Sequence, residues 1–251
     1  MTDSPLFLAT LRLADDALIL GHRLSEWCGH APVLEEDLAL ANLGLDLIGQ
    51  ARALYTHAGS IEGRGRDEDA LAYLRREHEY RNVLLVEQPN GDFAQTMVRH
   101  LLFAAFMHPF HQAMTASKDA TLAAIGARSE KEMAYHVRHA GEWVVRLGDG
   151  TEESRRRTLA ALEVLWPCSG ELFEVDQPMR AAIEAGFVPD PEAVRPAYDA
   201  TLDAVFAEAG LDRPAIRPYR TGGRAGRHSE HMGYLLADLQ YLQRTYPGAT
   251  W

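Results

Sequence analysis

The sequence predicts an all-α fold, an up-and-down helical bundle with additional helices towards its C-terminal end. Apolar residues recur at intervals of three and four along nearly the whole chain, which is the pattern of amphipathic helices. The stretches between them hold residues that end or begin helices, such as Gly148-Asp149-Gly150 before Thr151. The long periodic stretches come in pairs, which is the arrangement of a bundle with one long crossover.

Individual helices follow from the periodicity and from their capping residues. We expect them at about residues 5–27, 35–57, 67–80, 92–115, 118–147, 151–165, 190–209 and 229–244. Ser4, Asp92, Thr151 and Ser229 are predicted to cap the helices that follow them, because their side chains can accept backbone N–H bonds. Pro109 is expected to kink or break its helix, since proline removes a backbone hydrogen bond.

The organisation between these helices is predicted to be that of one domain. Residues 83–92 are expected to form an ordered connector, because Gln88-Pro89-Asn90-Gly91 has the composition of a turn. We find no domain linker in the first 165 residues. We therefore expect a single domain over residues 1–251, with a core bundle at about 5–147 and a helical extension at about 151–251.

Composition narrows the class of protein. The chain has 251 residues, 47% of them hydrophobic, which is enough for a large core. Its net charge of −11 argues against a general nucleic-acid binder, because such proteins neutralise phosphates with a basic face. Its two cysteines, Cys28 and Cys168, form neither a CxxC pair nor a disulfide framework, which favours a reducing compartment.

One stretch needs to be tested as a membrane span. Residues 100–117 contain no Asp, Glu, Lys or Arg, but they include three His, a Pro and a Gln, and they are short for a span. We interpret them as a buried bundle helix. The N-terminus lacks the basic start of a signal peptide. The sequence thus predicts a cytoplasmic protein that binds neither membrane nor nucleic acid.

The segment EKEMAYHVRHAGEWVV, residues 130–145, tests whether the bundle holds a metal. Di-iron bundles take a Glu from each of two helices and a Glu-x-x-His pair from each of two others. None of the eleven histidines has Glu or Asp three residues before it. Tyr135 stands where a histidine partner of Glu132 would be. Glu132 and His136, four residues apart, are predicted to form a polar pair in the core.

Asp46, Glu132, His136 and His139 are the candidates for a degenerate metal site. Asp46 belongs to a polar series, Asn42, Asp46 and Gln50, on an otherwise apolar helix. A structural role for all four residues is favoured, and Asp46 is then expected to have a hydrogen-bonding or cationic partner, because an unpaired buried carboxylate is costly. The alternative is a metal site with these atypical ligands, which requires them to converge in space.

A basic, glycine-rich loop precedes the last helix. Four arginines and no acidic residue lie between Pro214 and His228. Arg220, Arg224 and Arg227 are candidates to bind an external anion or the carboxylates of a partner, since guanidinium groups bind both in bidentate fashion. The favoured alternative is that these arginines pair with acidic residues of the protein itself or lie at a subunit interface.

Five segments carry a resemblance to a known family. They are WCGHAP (27–32), LANLGLDLIGQAR (40–52), LLVEQPNGDF (84–93), RLGDGT (146–151) and YRTGGRAGRHSEHMGYLLADLQYLQR (219–244). These segments resemble the C subunits of bacterial ring-1,2-phenylacetyl-CoA epoxidases, and the resemblance extends over almost the whole chain. It implies a ferritin-like bundle.

The resemblance also implies a division of labour. A homologous catalytic A subunit would hold the di-iron centre that epoxidises phenylacetyl-CoA in aerobic phenylacetate catabolism. This chain would be its non-catalytic structural partner, with no cofactor of its own, beside other small subunits and a reductase. A metal-binding ferritin-like oxidase with atypical ligands remains the alternative. The sequence leaves open whether the isolated chain forms a homodimer and which surface meets which subunit.

Overall fold

The computed structural model of the protein describes residues 4–249. In that range the chain forms eleven α-helices and no β-strand, which confirms the all-α prediction. The α-helices are α1 (Pro5–Ser25), α2 (Leu34–Glu62), α3 (Glu68–Tyr73), α4 (Leu84–Glu87), α5 (Phe93–Met114), α6 (Ala120–Gly148), α7 (Glu152–Leu165), α8 (Gln177–Glu184), α9 (Arg195–Glu208), α10 (Glu230–Leu239) and α11 (Tyr241–Thr245). Short 3₁₀ segments cover Glu77–Glu79, Trp166–Phe173, Pro191–Val194 and Gly223–Ala225.

Capping side chains set the starts of most long helices. Each accepts a hydrogen bond from a backbone N–H of the first turn, a group that has no partner within the helix. The capping residues are Ser4 for α1, Asp67 for α3, Asp92 for α5, Asp119 for α6, Thr151 for α7 and Asp176 for α8. The predictions for Ser4, Asp92 and Thr151 are confirmed. The side chain of Ser229 makes no capping bond, so that prediction is wrong.

Two long antiparallel hairpins, α1–α2 and α5–α6, form the centre of the bundle. Each pair is in contact along most of its length, and the segment between residues 63 and 92 crosses from the first hairpin to the second. Helix α5, which includes the charge-free stretch, lies at the centre with side chains buried on all sides. None of the helices in residues 4–249 is both long and apolar enough to cross a membrane.

Four predicted helices differ from the observed ones. The helix expected over residues 67–80 ends at Tyr73, where the chain turns so that the Arg75 guanidinium reaches α1. The last helix is interrupted at Gln240, whose side-chain amide donates to the backbone of Arg75. Helix α9 begins after a 3₁₀ turn, and α5 runs unbroken through Pro109. Tertiary hydrogen bonds at the first two positions outweigh local helix propensity.

The helices after residue 150 pack on the same bundle. Helices α7 and α9 lie against α5 and α6, α8 lies against α1, and α10 contacts α4. Apolar residues from both parts of the chain join in one continuous core. This packing is what a single domain requires, and the one-domain organisation stays a prediction.

Close approach of α1 and α2 depends on two glycines at their crossing. A methyl group on Gly44 would lie 3.1 Å from Ser25 Oγ and 3.3 Å from the Gly21 carbonyl oxygen. Gly21 faces the same contact, since a methyl group there would lie 3.3 Å from the Gly44 carbonyl oxygen. The backbone of each helix therefore occupies the space that a side chain on the other would need.

We expect Gly44→Val to lower the free energy of unfolding by about 1–3 kcal/mol, because the added atoms overfill this crossing. Gly49→Val on the same helix is the matched control. Its nearest neighbour is the end of the flexible Arg128 side chain, at 3.6 Å, so the change should stay within about 0.5 kcal/mol. Urea unfolding followed by circular dichroism measures both. Equal effects at the two positions would contradict a role for close backbone approach at Gly44.

Candidate functional site

Four of the predicted site residues lie in one row between α2 and α6, which we call the α2–α6 polar row. His136 Nε2 lies 3.3 Å from Asp46 Oδ2, and His139 Nε2 lies 2.9 Å from Glu36 Oε2. Asp46 thus has the polar partner that the sequence led us to expect. Each histidine of α6 faces a different carboxylate of α2, so the row consists of separate pairs.

Glu132 completes the row with two hydrogen-bond donors. The Gln50 side-chain amide donates to its Oε2 at 2.9 Å, and Arg128 Nε donates to its Oε1 at 2.8 Å. The structure therefore differs from the predicted Glu132–His136 pair, because each of the two side chains bonds to α2 or to Arg128. Both carboxylate oxygens of Glu132 are occupied by N–H groups.

A third histidine, His100 of α5, lies behind the row. Its ring centroid is 5.0 Å from that of His136, and both rings are fully buried. Burial is the main cause that lowers the pKa of His100 well below its usual value, and the charges of His136 and His139 add to it. His100 is therefore neutral at physiological pH. Sequence reasoning missed this contact, although His100 begins the charge-free stretch, where a polar side chain was a signal.

The row does not fit a di-iron centre. Bridging and terminal iron ligands must offer free lone pairs that converge on the metal. Both Glu132 oxygens accept hydrogen bonds instead, and the two histidines face different carboxylates. Within residues 4–249, no group of three or more His, Cys, Asp or Glu side chains is arranged to hold a metal ion.

The basic loop is folded onto acidic residues of the same chain. Arg224 is buried and donates to Asp16 through Nη1 at 3.1 Å and Nη2 at 2.7 Å. The backbone N–H groups of Gly222 and Arg224 both donate to Glu171 Oε1, at 2.9 and 3.1 Å. Arg224 thus pairs with an acidic residue of its own chain, which corresponds to the intramolecular alternative for the basic loop.

Arg220 and Arg227 have exposed side chains. In the part of the chain that the structure describes, neither forms a salt bridge. Arg220 lies beside Cys168, whose thiol pKa burial raises to about 11 in spite of the nearby guanidinium. The prediction that Arg220 and Arg227 bind an anion or a partner stays a prediction.

The residue before Asp16 forms a second buried ion pair. Asp15 accepts hydrogen bonds from the Arg75 guanidinium, from the Tyr55 hydroxyl at 2.6 Å and from the Arg81 backbone N–H at 2.7 Å. Together with Asp16, it connects α1 to the crossover segment and to the basic loop. The sequence held a signal for both pairs, because two adjacent acids inside an apolar helix require partners.

Glu87 holds the other end of the basic loop. Its Oε2 lies 2.7 Å from His228 Nδ1, and its Oε1 accepts the Ser229 backbone N–H at 2.6 Å. Burial lowers the pKa of His228, but the hydrogen bond and charge of Glu87 outweigh that effect, so the pKa lies above its ordinary value. The loop is therefore joined to the crossover by an ion pair whose strength depends on pH.

These features define an all-α protein with a ferritin-like bundle and a polar row between α2 and α6. Comparison with known sequences leads to the same class. The model of the family described as phenylacetic acid catabolic protein matches residues 1–251, and the chain belongs to that family. It is 48% identical over 242 residues to the C subunit of 1,2-phenylacetyl-CoA epoxidase from Escherichia coli (strain K12). That match covers 96% of this chain and 97% of the relative.

Asp16→Ala should lower the free energy of unfolding by about 3–5 kcal/mol, because it leaves the Arg224 guanidinium buried without its carboxylate. Burial raises the pKa of Asp16 to about 6, against the opposing Arg224 charge, so the comparison belongs at pH 8, where the carboxylate is ionised. Urea unfolding provides the measurement. Glu153→Ala, which removes the exposed ion pairs with Arg156 and Arg157, is the control and should show no measurable change.

His228 should make stability depend on pH in a defined direction. Because its pKa is higher in the folded than in the unfolded protein, protonation stabilises the fold. That contribution to the unfolding free energy is complete below about pH 6.5, the pKa of histidine in the unfolded protein. It is lost as pH rises through the pKa of His228 in the folded protein. The difference in unfolding free energy between wild type and His228→Asn should therefore shrink from pH 6 to pH 9. A difference that grows over this interval contradicts the assignment.

Proposed function

We propose that the chain is the non-catalytic structural subunit of a multicomponent di-iron monooxygenase that epoxidises phenylacetyl-CoA in aerobic phenylacetate catabolism. It pairs with a homologous catalytic A subunit, which holds the di-iron centre, and itself carries no cofactor. The complex works in the cytoplasm. The E. coli relative, named as the C subunit of 1,2-phenylacetyl-CoA epoxidase, supports this proposal through its identity over nearly the full length of both chains.

The observation that supports the non-catalytic role is the hydrogen bonding of the Glu132 carboxylate. A carboxylate that binds iron must direct lone pairs at the metal, whereas both oxygens of Glu132 accept hydrogen bonds from Arg128 and Gln50. The Arg128 guanidinium also brings a positive charge to the position, and a second cation nearby would be repelled. Hydrogen bonding alone satisfies this side chain.

A metal-binding oxidase with atypical ligands is the second candidate, and one distance favours it. His136 and Asp46 approach to 3.3 Å, which meets the requirement that two of its ligands lie close together. The remaining candidates do not join them, because His139 faces Glu36 and Glu132 faces Arg128. The structural-subunit proposal therefore accounts for more of the row.

The expected partners follow from this role. The A subunit is the main one, and other subunits of the epoxidase bind the resulting pair. Arg220 and Arg227, which are exposed and form no salt bridge within residues 4–249, are available for such contacts. Whether the isolated chain also forms a homodimer is a separate question that its sedimentation behaviour answers.

Metal analysis of the purified chain tests the proposal directly. After expression with added iron, we expect well below one iron per chain and no oxo-bridged absorption band. Glu132→Gln should leave the epoxidation rate of the complex with the A subunit within about twofold of wild type, since the residue supplies no catalytic group. About two irons per chain, or a loss of several orders of magnitude in rate, would establish the oxidase alternative instead.

A further inference from the structure

The basic loop is attached to the bundle by polar bonds more than by apolar packing. Among residues 214–227, only Gly222, Gly223 and Arg224 are buried, and none of these has an apolar side chain. Segments with few buried apolar contacts open more readily than the core of a protein. The closed position of the loop therefore depends on its hydrogen bonds and ion pairs.

Two buried carboxylates of the bundle each bond to the basic loop and to the crossover at once. Asp16 of α1 accepts the Val83 backbone N–H of the crossover at 2.8 Å and pairs with the Arg224 side chain of the loop. Glu171 accepts the Leu84 backbone N–H of the crossover at 2.6 Å and the Arg224 backbone N–H of the loop at 3.1 Å. Both carboxylates therefore join the two segments.

A third buried carboxylate, Glu87, joins the two segments from the crossover side. Its Oε2 accepts the Asn82 side-chain amide at 2.9 Å and faces His228 Nδ1 at 2.7 Å. The side chains of Glu87 and His228 are both fully buried. The loop backbone lies directly on the crossover, since a methyl group on Gly223 would overlap the Asn82 carbonyl oxygen. Removing the loop would thus leave buried polar groups of the crossover without partners, which is costly.

We propose that the basic loop and residues 81–87 of the crossover open and close as one unit, and that rising pH favours opening. The three carboxylates share their bonds between the two segments, so breaking one set of bonds weakens the others. His228 supplies the titratable step, because its imidazole faces Glu87 and gains or loses a proton near neutral pH. Opening also brings the buried Arg224 guanidinium to the surface.

The groups around His228 determine the direction of the pH effect. Burial lowers the pKa of His228, but Glu87, the Tyr80 carbonyl oxygen and Asp15 of α1 together raise it above its ordinary value. Protonation therefore favours closure, and this contribution is lost as pH rises through the pKa of the folded protein. Burial raises the pKa of Asp16 to about 6 and that of Tyr80 to about 12, so both keep nearly constant charge between pH 7 and pH 9. The guanidinium groups of both segments stay charged over this range.

Hydrogen exchange of the full chain, followed by mass spectrometry, tests the coupling. His228→Asn changes only the loop, yet at pH 6.5 it should raise exchange about tenfold in the crossover peptide that contains Val83 and Leu84, and equally in the loop, because a charge-assisted bond is lost. Helix α5 should exchange as in wild type. Glu36→Gln, which changes a buried carboxylate bonded to a histidine outside this unit, is the matched control and should leave both segments unchanged.

Glu87→Gln provides the reciprocal measurement. It changes only the crossover, and it should raise exchange in the loop peptide that contains Gly222 and Arg224 as much as in the crossover. An increase confined to the substituted segment, in either variant, would overturn the coupled opening. An equal increase in α5 would overturn it too, since the variant would then act through unfolding of the whole protein.

The pH effect is tested by comparing wild type with His228→Asn from pH 7 to pH 9. After correction for the intrinsic pH dependence of amide exchange, opening of both segments in wild type should increase severalfold and approach that of the variant. Opening in the variant should stay constant, because the titrating group is absent. Wild-type opening that is constant or decreases over this interval would contradict the role of His228.

Discussion

Two adjacent buried carboxylates, Asp15 and Asp16 in the middle of α1, are the constraint on which the rest of the structure depends. Neither can remain ionised in the core without a cation, because desolvating a carboxylate is costly. Successive residues of a helix point about 100° apart, so the two groups face different segments. Arg75 of the crossover pairs with the first and Arg224 of the basic loop with the second.

This arrangement explains why a loop rich in arginine and glycine is ordered on an acidic protein. The Arg224 side chain bonds to Asp16, while its backbone and that of Gly222 bond to Glu171. Gly223 is required there, since a methyl group on it would overlap the Asn82 carbonyl oxygen. The carboxylates of the α2–α6 polar row are likewise hydrogen-bonded within the chain, by the two histidines of α6, Gln50 and Arg128.

The interior and the surface of the molecule therefore point to the same role. Buried carboxylates such as Asp15 and Asp16 pair with arginines of the same chain, whereas α2 leaves a line of leucines exposed. A protein built in this way gains most from a partner that buries its apolar edge, and least from a reaction in its core. That combination suits a subunit whose contribution to an enzyme is architectural, as we propose.

Much of the fold was predictable from local features, because helical periodicity and capping residues such as Asp92 and Thr151 act within a few positions of the chain. The absence of Glu-x-x-His pairs was also readable in the sequence alone. The sequence did not reveal which side chains bond to each other. Glu132 bonds to Gln50, 82 residues away, and Arg224 bonds to Asp16, 208 residues away. Only the tertiary structure decides such pairs, because distant segments supply the groups that satisfy each buried charge.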